Sequence, residues 1–260
     1  MGLSEHDPQR LLTEQYRDER NLSARMRLHE RFSTNPQPWH RWVFDQLAIE
    51  PGSAVLEIGC GPGTLWGKNA DRLPADGSFL LTDLSPGMAS AARLQLHAFR
   101  YGAVDAQRLP FADATFDLVV ANHMLYHVPD RQRAVAQDAA RLRDGGRLCA
   151  ATNALGHLRE LDELAQRYVP QVSLAESAQR FSLEGGGALL APHFSDLRTL
   201  RYDDSLVITD ANPVVEYVLS SGAAVAADTI EALRQEVASI IARKGAFRVR
   251  KETGLFVASV

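Results

Sequence analysis

The run Val55-Leu-Glu-Ile-Gly-Cys-Gly-Pro-Gly63 limits the fold more than any other stretch of the chain. An apolar segment, Ala54–Ile58, ends in three glycines crowded into five positions, Gly59, Gly61 and Gly63, with Glu57 just ahead of them. A short apolar run of this kind suits a strand buried on both faces. Glycines directly after it suit a tight turn into a helix, whose first N–H groups favour anionic or polar ligand groups. The spacing also excludes alternatives. A dinucleotide fingerprint G-x-G-x-x-G counted from Gly59 needs glycine at position 64, where the chain has Thr64. No Gly-Lys-Ser/Thr follows, which removes the phosphate loop of nucleoside triphosphatases.

The same alternation continues downstream. Phe79–Thr82, Leu118–Ala121 and Arg147–Thr152 are further buried-strand candidates, and helices are predicted over Thr64–Leu73, Gly87–Phe99 and Arg131–Leu142, the last closed by Asp144-Gly-Gly146. Strand–helix alternation argues for a doubly wound, mostly parallel α/β sheet. The flanks differ from this centre. Residues 8–48 read as charged helices broken at Ser33–Pro38, and 156–195 as helical or irregular, with Gly185-Gly-Gly187 as a joint. "LRTLRYDDSLVIT" and "GAFRVRKETGLFVASV" read as a paired antiparallel edge around a helix spaced by Ile230, Leu233, Val237, Ile240 and Ile241. Asn212-Pro213 is expected as N-cap and first position of a short helix.

Composition removes several function classes. An apolar share of 45% over 260 residues is ordinary for a packed globular chain, and no run approaches the roughly 18 apolar residues of a membrane span. The charged start MGLSEHDPQR lacks the apolar centre of an export signal, and Glu5 and His6 make a poor myristoylation match after Met-Gly, so a cytoplasmic protein is expected. Cys60 and Cys149 share no CxxC spacing, so neither a disulfide framework nor a metal site is expected. With a net charge of −4 and no long basic run, neither nucleic acid nor membrane is an expected partner.

Two acids define the ligand further. Asp83 closes "SFLLTD", twenty residues past Gly63, where this architecture places a carboxylate facing a ribose. Asp105, in "VDAQRLPF", follows the third strand. Together they point to a ligand with a ribose, a polar base edge and no pyrophosphate.

"VLEIGCGPG", "LLTDLSPGMASAAR", "GAVDAQRLPFADATFDLVVANHMLYHV" and "LRDGGRLCAAT" then follow in the order and spacing of a known family. The chain resembles the class I S-adenosylmethionine-dependent methyltransferases, most of all the small-molecule branch that includes ubiquinone-biosynthesis enzymes, strongly over about residues 50–153. The resemblance implies a Rossmann-like seven-stranded sheet with an antiparallel C-terminal edge and a helical lid. It implies S-adenosylmethionine as cofactor, S-adenosylhomocysteine as product, and no metal. It implies that Glu57, Gly59, Cys60, Gly61 and Gly63 receive the methionine end. Asp83 would take the ribose hydroxyls, Leu84 and Met88 would pack on adenine, Asp105 with Ala106 would meet its amino edge, and Asn122 would stand beside the sulfonium.

Other side chains have two readings each. Cys60 invites a nucleophile reading, but no base is placed near it and methyl transfer needs no covalent enzyme intermediate, so it reads as a space-filler. His123 and His127, in "ANHMLYHV" with Tyr126, are the catalytic candidates, either removing a proton or only positioning the acceptor. Arg25 or His29, on the stripe Leu22, Met26, His29, could meet the methionine carboxylate or an acidic substrate from a lid. "NHML" lacks the Asn/Asp-Pro-Pro-aromatic loop that the resemblance would require for methylating base nitrogens. A small organic acceptor remains, methylated on oxygen, nitrogen or carbon, by a monomer or homodimer. The expected division is a lid over 1–48, a cofactor-binding core over 49–155, a variable substrate-pocket insertion over 156–197, and core-completing elements over 198–260. Two alternatives stand: a protein that binds the cofactor without transfer, and a nucleotide-dependent oxidoreductase, which the glycine spacing opposes.

Overall fold

In the computed structural model residues 20–260 are described. One sheet of seven strands carries the chain, ordered β3-β2-β1-β4-β5-β7-β6. Its strands are β1 Ala54–Ile58, β2 Ser78–Asp83, β3 Arg100–Ala103, β4 Phe116–Asn122, β5 Leu142–Asn153, β6 Arg198–Ile208 and β7 Phe247–Ser259. β1 through β5 pair in parallel, and β7 runs antiparallel to both β5 and β6. Strand order reverses between β1 and β4, so their carboxyl ends open the crevice where ligands bind in such sheets. The Rossmann-like fold with an antiparallel C-terminal edge is therefore the observed one.

The helices are α1 Arg20–Phe32, α2 Trp39–Leu47, α3 Thr64–Gly67, α4 Pro86–Gln95, α5 Arg131–Arg141, α6 Arg159–Tyr168, α7 Glu176–Arg180, α8 Gly186–Leu190, α9 Asn212–Leu219 and α10 Ala227–Lys244. A central core packs Leu56, Ile58, Val119 and Ala121 against Leu148, Ala150 and Phe256. A second cluster joins α1 to the C-terminal helices through Leu28, Phe32, Val214 and Val218. Burying one such large side chain stabilises by about 1.5–3 kcal/mol. α1 is thus stapled to the fold by apolar contact, and the part of the expected lid that precedes residue 20 lies outside the described residues.

Four local expectations are corrected. The first helix ends at Gly67, not Leu73, because the Asn69 side chain donates to the Leu65 carbonyl (2.7 Å) and the His40 carbonyl (3.0 Å), and a 3-10 turn, Ala70–Arg72, follows. The helix over Arg131–Arg141 is not closed by Asp144-Gly-Gly146; its Ala140 and Arg141 carbonyls accept from Ala114 and Thr115, and the glycines fall in the irregular start of β5. Gly185-Gly-Gly187 opens α8 instead of acting as a joint. A Cβ at Gly186 would lie 2.6 Å from Phe256, so that position is fixed by packing. Ala211, not Asn212, is the N-cap of α9.

Candidate active site

The glycine turn is built by backbone needs that no side chain tolerates well. Gly59, Gly61 and Gly63 all have positive φ (67°, 54° and 79°), the region glycine enters without a Cβ penalty. At Gly59 there is also no room, since a Cβ would stand 2.6 Å from that of Met124. The Cys60 N–H donates to the Thr82 carbonyl (2.9 Å), tying the turn to the end of β2. Gly63 caps α3 and faces Leu96 and Ala92 of α4.

Asp83 sits where that tie ends. One carboxylate oxygen accepts from the Gly61 N–H (2.9 Å) and the other from the Ser85 N–H (2.8 Å). Burial pushes its pKa up, and those two N–H groups oppose the shift. Each oxygen keeps lone-pair capacity for a further donor. Asp105 accepts from the Gln107 backbone N–H (2.9 Å). Glu57 is 1% exposed and takes the Trp66 indole N–H (2.6 Å). Burial pushes it up to about 8 against that bond. Burial also pushes the Cys60 thiol up, which keeps it un-ionised and disfavours a nucleophile there.

These residues line one large cavity of about 980 Å³. Its wall holds Glu57, Gly59, Cys60, Gly61, Asp83, Leu84, Met88, Asp105, Ala106 and Asn122, together with Arg25, His123 and His127. Gly63 is off the cavity wall. Asn122 presents a buried Oδ1 with no partner among the described residues. Arg25 donates to Ser220 Oγ (2.9 Å) and to the Ser220 carbonyl (3.3 Å) just past α9. Glu30, five residues on, pairs with Lys68 at the end of α3 (3.2 Å).

The far end of the cavity gathers side chains that are remote in sequence. His29 stacks on His157 (6.1 Å between rings) and meets Tyr217 edge-on (6.0 Å). His157 Nδ1 pairs with the Glu252 carbonyl (3.1 Å), which fixes that nitrogen as the donor. His123 has a left-handed backbone (φ 57°), its Nε2 lies 3.4 Å from Thr253 Oγ1, and its ring lies 5.2 Å from that of Trp39. Burial, followed by the Lys251 charge and by His123, lowers His29 to about 3; burial, followed by His40 and Lys251, lowers His123 to about 3. Lys251 donates to Asp204 (2.6 Å), the two side chains being 7% and 0% exposed. His29 was legible from its helix stripe. Trp39, His157, Thr253 and Lys251 were not, because each belongs to a different segment and none carries a local pattern.

Residues 56–150 match the family model described as "Methyltransferase domain". Over those residues the chain is similar to methyltransferase domains. It is 32% identical over 116 residues to the ubiquinone/menaquinone biosynthesis C-methyltransferase of Idiomarina loihiensis, covering 42% of this chain and 46% of that one. It is 28% identical over 198 residues to the 27-O-demethylrifamycin SV methyltransferase of Amycolatopsis mediterranei, covering 73% and 66%. The chain therefore spans about half the length of the first of these curated relatives. By fold it is similar to the Haemonchus contortus phosphoethanolamine N-methyltransferase 2 in complex with S-adenosyl-L-methionine, with TM-score 0.62, 18% identity, and 99% and 60% of the two chains covered.

The residues present fit the cofactor that the resemblance implies. Carboxylate acceptors at Asp83 and Asp105 suit hydroxyl and amino donors, and the buried Asn122 oxygen, without a partner among the described residues, is a third acceptor on a residue of the cavity wall. Among the described residues, no three His, Cys, Asp or Glu side chains cluster closely enough to hold a metal, and no helix is long and apolar enough to cross a membrane.

Proposed function

We propose that the protein transfers a methyl group from S-adenosylmethionine to a small organic molecule. The observation that carries this reading is Asp83, fixed by two backbone N–H groups on the wall of a cavity that also holds the glycine turn, Arg25, His29, Trp39 and Lys251. In this reading Asp83 holds the ribose, Asp105 and Ala106 the adenine edge, Leu84 and Met88 its faces, and the backbone of Gly59–Gly61 the methionine end. The cofactor supplies an electrophilic methyl on a sulfonium that carries its own leaving group. The chain's share is orientation and exclusion of water, worth on the order of 7–11 kcal/mol when geometry is well fixed. Residues 20–48 and 156–197 are assigned to the acceptor wall, since Arg25, His29 and Trp39, and His157 and Ser177, face the cavity from them.

Asp83→Ala removes an acceptor for two hydroxyls and is expected to weaken S-adenosylhomocysteine binding by about 1–3 kcal/mol, roughly 5- to 150-fold. Calorimetric titration of wild type and variant, with NAD(P)H as the control ligand, tests this; unchanged affinity in a folded variant sinks the assignment.

His123 and His127 are assigned to positioning. His123 is held neutral by burial and leans on Thr253 and Trp39, with no carboxylate oriented on its ring. His123→Ala and His127→Ala are each expected to lower turnover by less than about tenfold at saturating cofactor. A fall of roughly 10²–10⁴ in either, with cofactor affinity intact, would make that histidine a general base.

A further inference from the structure

The far chamber holds an excess of hydrogen-bond donors and positive charge. Among the described residues no carboxylate lies within ion-pair distance of Arg25, whose guanidinium meets only the neutral Ser220. Lys251 spends one N–H on Asp204, a carboxylate that already receives Ser33 and the backbone N–H groups of Thr34 and Asn35. Two N–H bonds of that ammonium remain. The Trp39 indole N–H, a donor that can never accept, is buried with no partner among the described residues, and so is His29 Nδ1. Elsewhere on the wall the charges are already matched: Arg41 pairs with Asp71, and Lys68 with Glu30. Asp83 and Asp105 belong to the nucleoside end. A buried donor left unmatched is costly, so this set is incomplete without an acceptor-rich group.

Building on the methyltransferase reading above, we propose that the chamber binds an acceptor molecule bearing an anionic oxygen, a carboxylate or an acidic phenol or enol, between Arg25, His29, Trp39 and Lys251. A cationic amine would bring only further donors and would face the Arg25 charge, which no carboxylate offsets among the described residues. An oxyanion instead accepts from Arg25, Lys251 and the Trp39 indole N–H, and from His29 in the tautomer that carries its proton on Nδ1. It also brings an available lone pair without needing a proton removed, which suits a chamber whose histidines are held neutral. The aromatic faces of Trp39 and Tyr217 give the carbon skeleton a flat apolar wall beside the charged groups.

Benzoate, ionised 4-nitrophenol, benzyl alcohol and benzylamine, each titrated by NMR into protein saturated with S-adenosylhomocysteine, separate the possibilities. One of the two anions is expected to bind about tenfold or more tighter than the alcohol and the amine. The better anion tells carboxylate from phenolate. Arg25→Gln and Trp39→Phe are each expected to weaken the preferred anion by about tenfold more than they weaken benzyl alcohol, erasing most of that preference. Equal binding of all four, preference for benzylamine, or no anion binding by a protein that does bind S-adenosylhomocysteine overturns the inference. A chain that selects the anions yet fails to bind S-adenosylhomocysteine keeps the oxyanion chamber and loses the methyltransferase reading.

Discussion

Lys251→Met is expected to cost about 3–5 kcal/mol of folding stability, the range found when one partner of a buried ion pair is removed. The pair qualifies, because its side chains are 7% and 0% exposed and their charged atoms stand 2.6 Å apart. Asp204 would stay behind as a buried charge. Its remaining donors, Ser33, Thr34 and Asn35, soften the loss and place it in the lower half of that range. The pair joins β7 to β6, and Asp204 in turn holds Ser33, Thr34 and Asn35 after α1, so its loss loosens the chamber wall. Lys251→Met/Asp204→Asn should recover much of the deficit, since no uncompensated charge is left. Burial by itself would raise the Asp204 pKa, but Lys251, Ser33 and the Asn35 N–H hold it below the ordinary value. The sign follows from that depression: the contribution is present above the unfolded aspartate pKa of about 3.9 and is lost as pH falls through the lower folded value. Urea denaturation at neutral pH reads the difference directly. A loss under about 1 kcal/mol for Lys251→Met would show that the pair is not an enclosed one.

The glycine turn and the acids beside it could be read from the sequence, and the side chains gathered with them around the cavity could not, for a physical reason. β1, the glycine turn, Asp83 and Asp105 are each specified within a few residues, by a strand that ends and a turn that needs positive φ. Their order along the chain then fixes their place in a doubly wound sheet. Lys251 gives no such signal. It occupies one position in the alternating strand Arg248-Val-Arg-Lys-Glu252, and only pairing of β7 with β6 sets it opposite Asp204. Trp39 and His157 likewise depend on how α2 and the turn before α6 dock. Helix ends were misjudged where a side chain took over a carbonyl, as Asn69 does for Leu65. Nor did the sequence show that Arg25 would face Ser220 while Glu30 of the same helix pairs with Lys68.

Between about pH 6.5 and 4.5 the protein is expected to lose stability, because its buried histidines outnumber its buried neutral acids. His29, His40 and His123 are lowered, chiefly by burial, to about 3, 4 and 3, and His157 lies well below its ordinary value for the same reason. Unfolded histidine titrates near 6.5, so in this window the unfolded chain takes up protons that the folded chain refuses. Stability then rises with pH and is lost on acidification, by about 1.4 kcal/mol per pH unit for each such proton. Three acids work the other way. Glu57, Asp138 and Asp83 are pushed up by burial, and Asp138 has no hydrogen-bond partner among the described residues, so acidification relieves them. Four histidines against three carboxylates leave a net of one proton. That is about 1.4 kcal/mol per pH unit. Against a typical total of about 5–15 kcal/mol, two pH units remove a sizeable share of the stability. Urea denaturation across this range measures the slope. His29→Gln should flatten it by close to one proton, and Glu57→Gln should steepen it. Stability that stays level or climbs from pH 6.5 to 4.5 would mean that the histidines accept protons in the folded state, and that the chamber is wet and open.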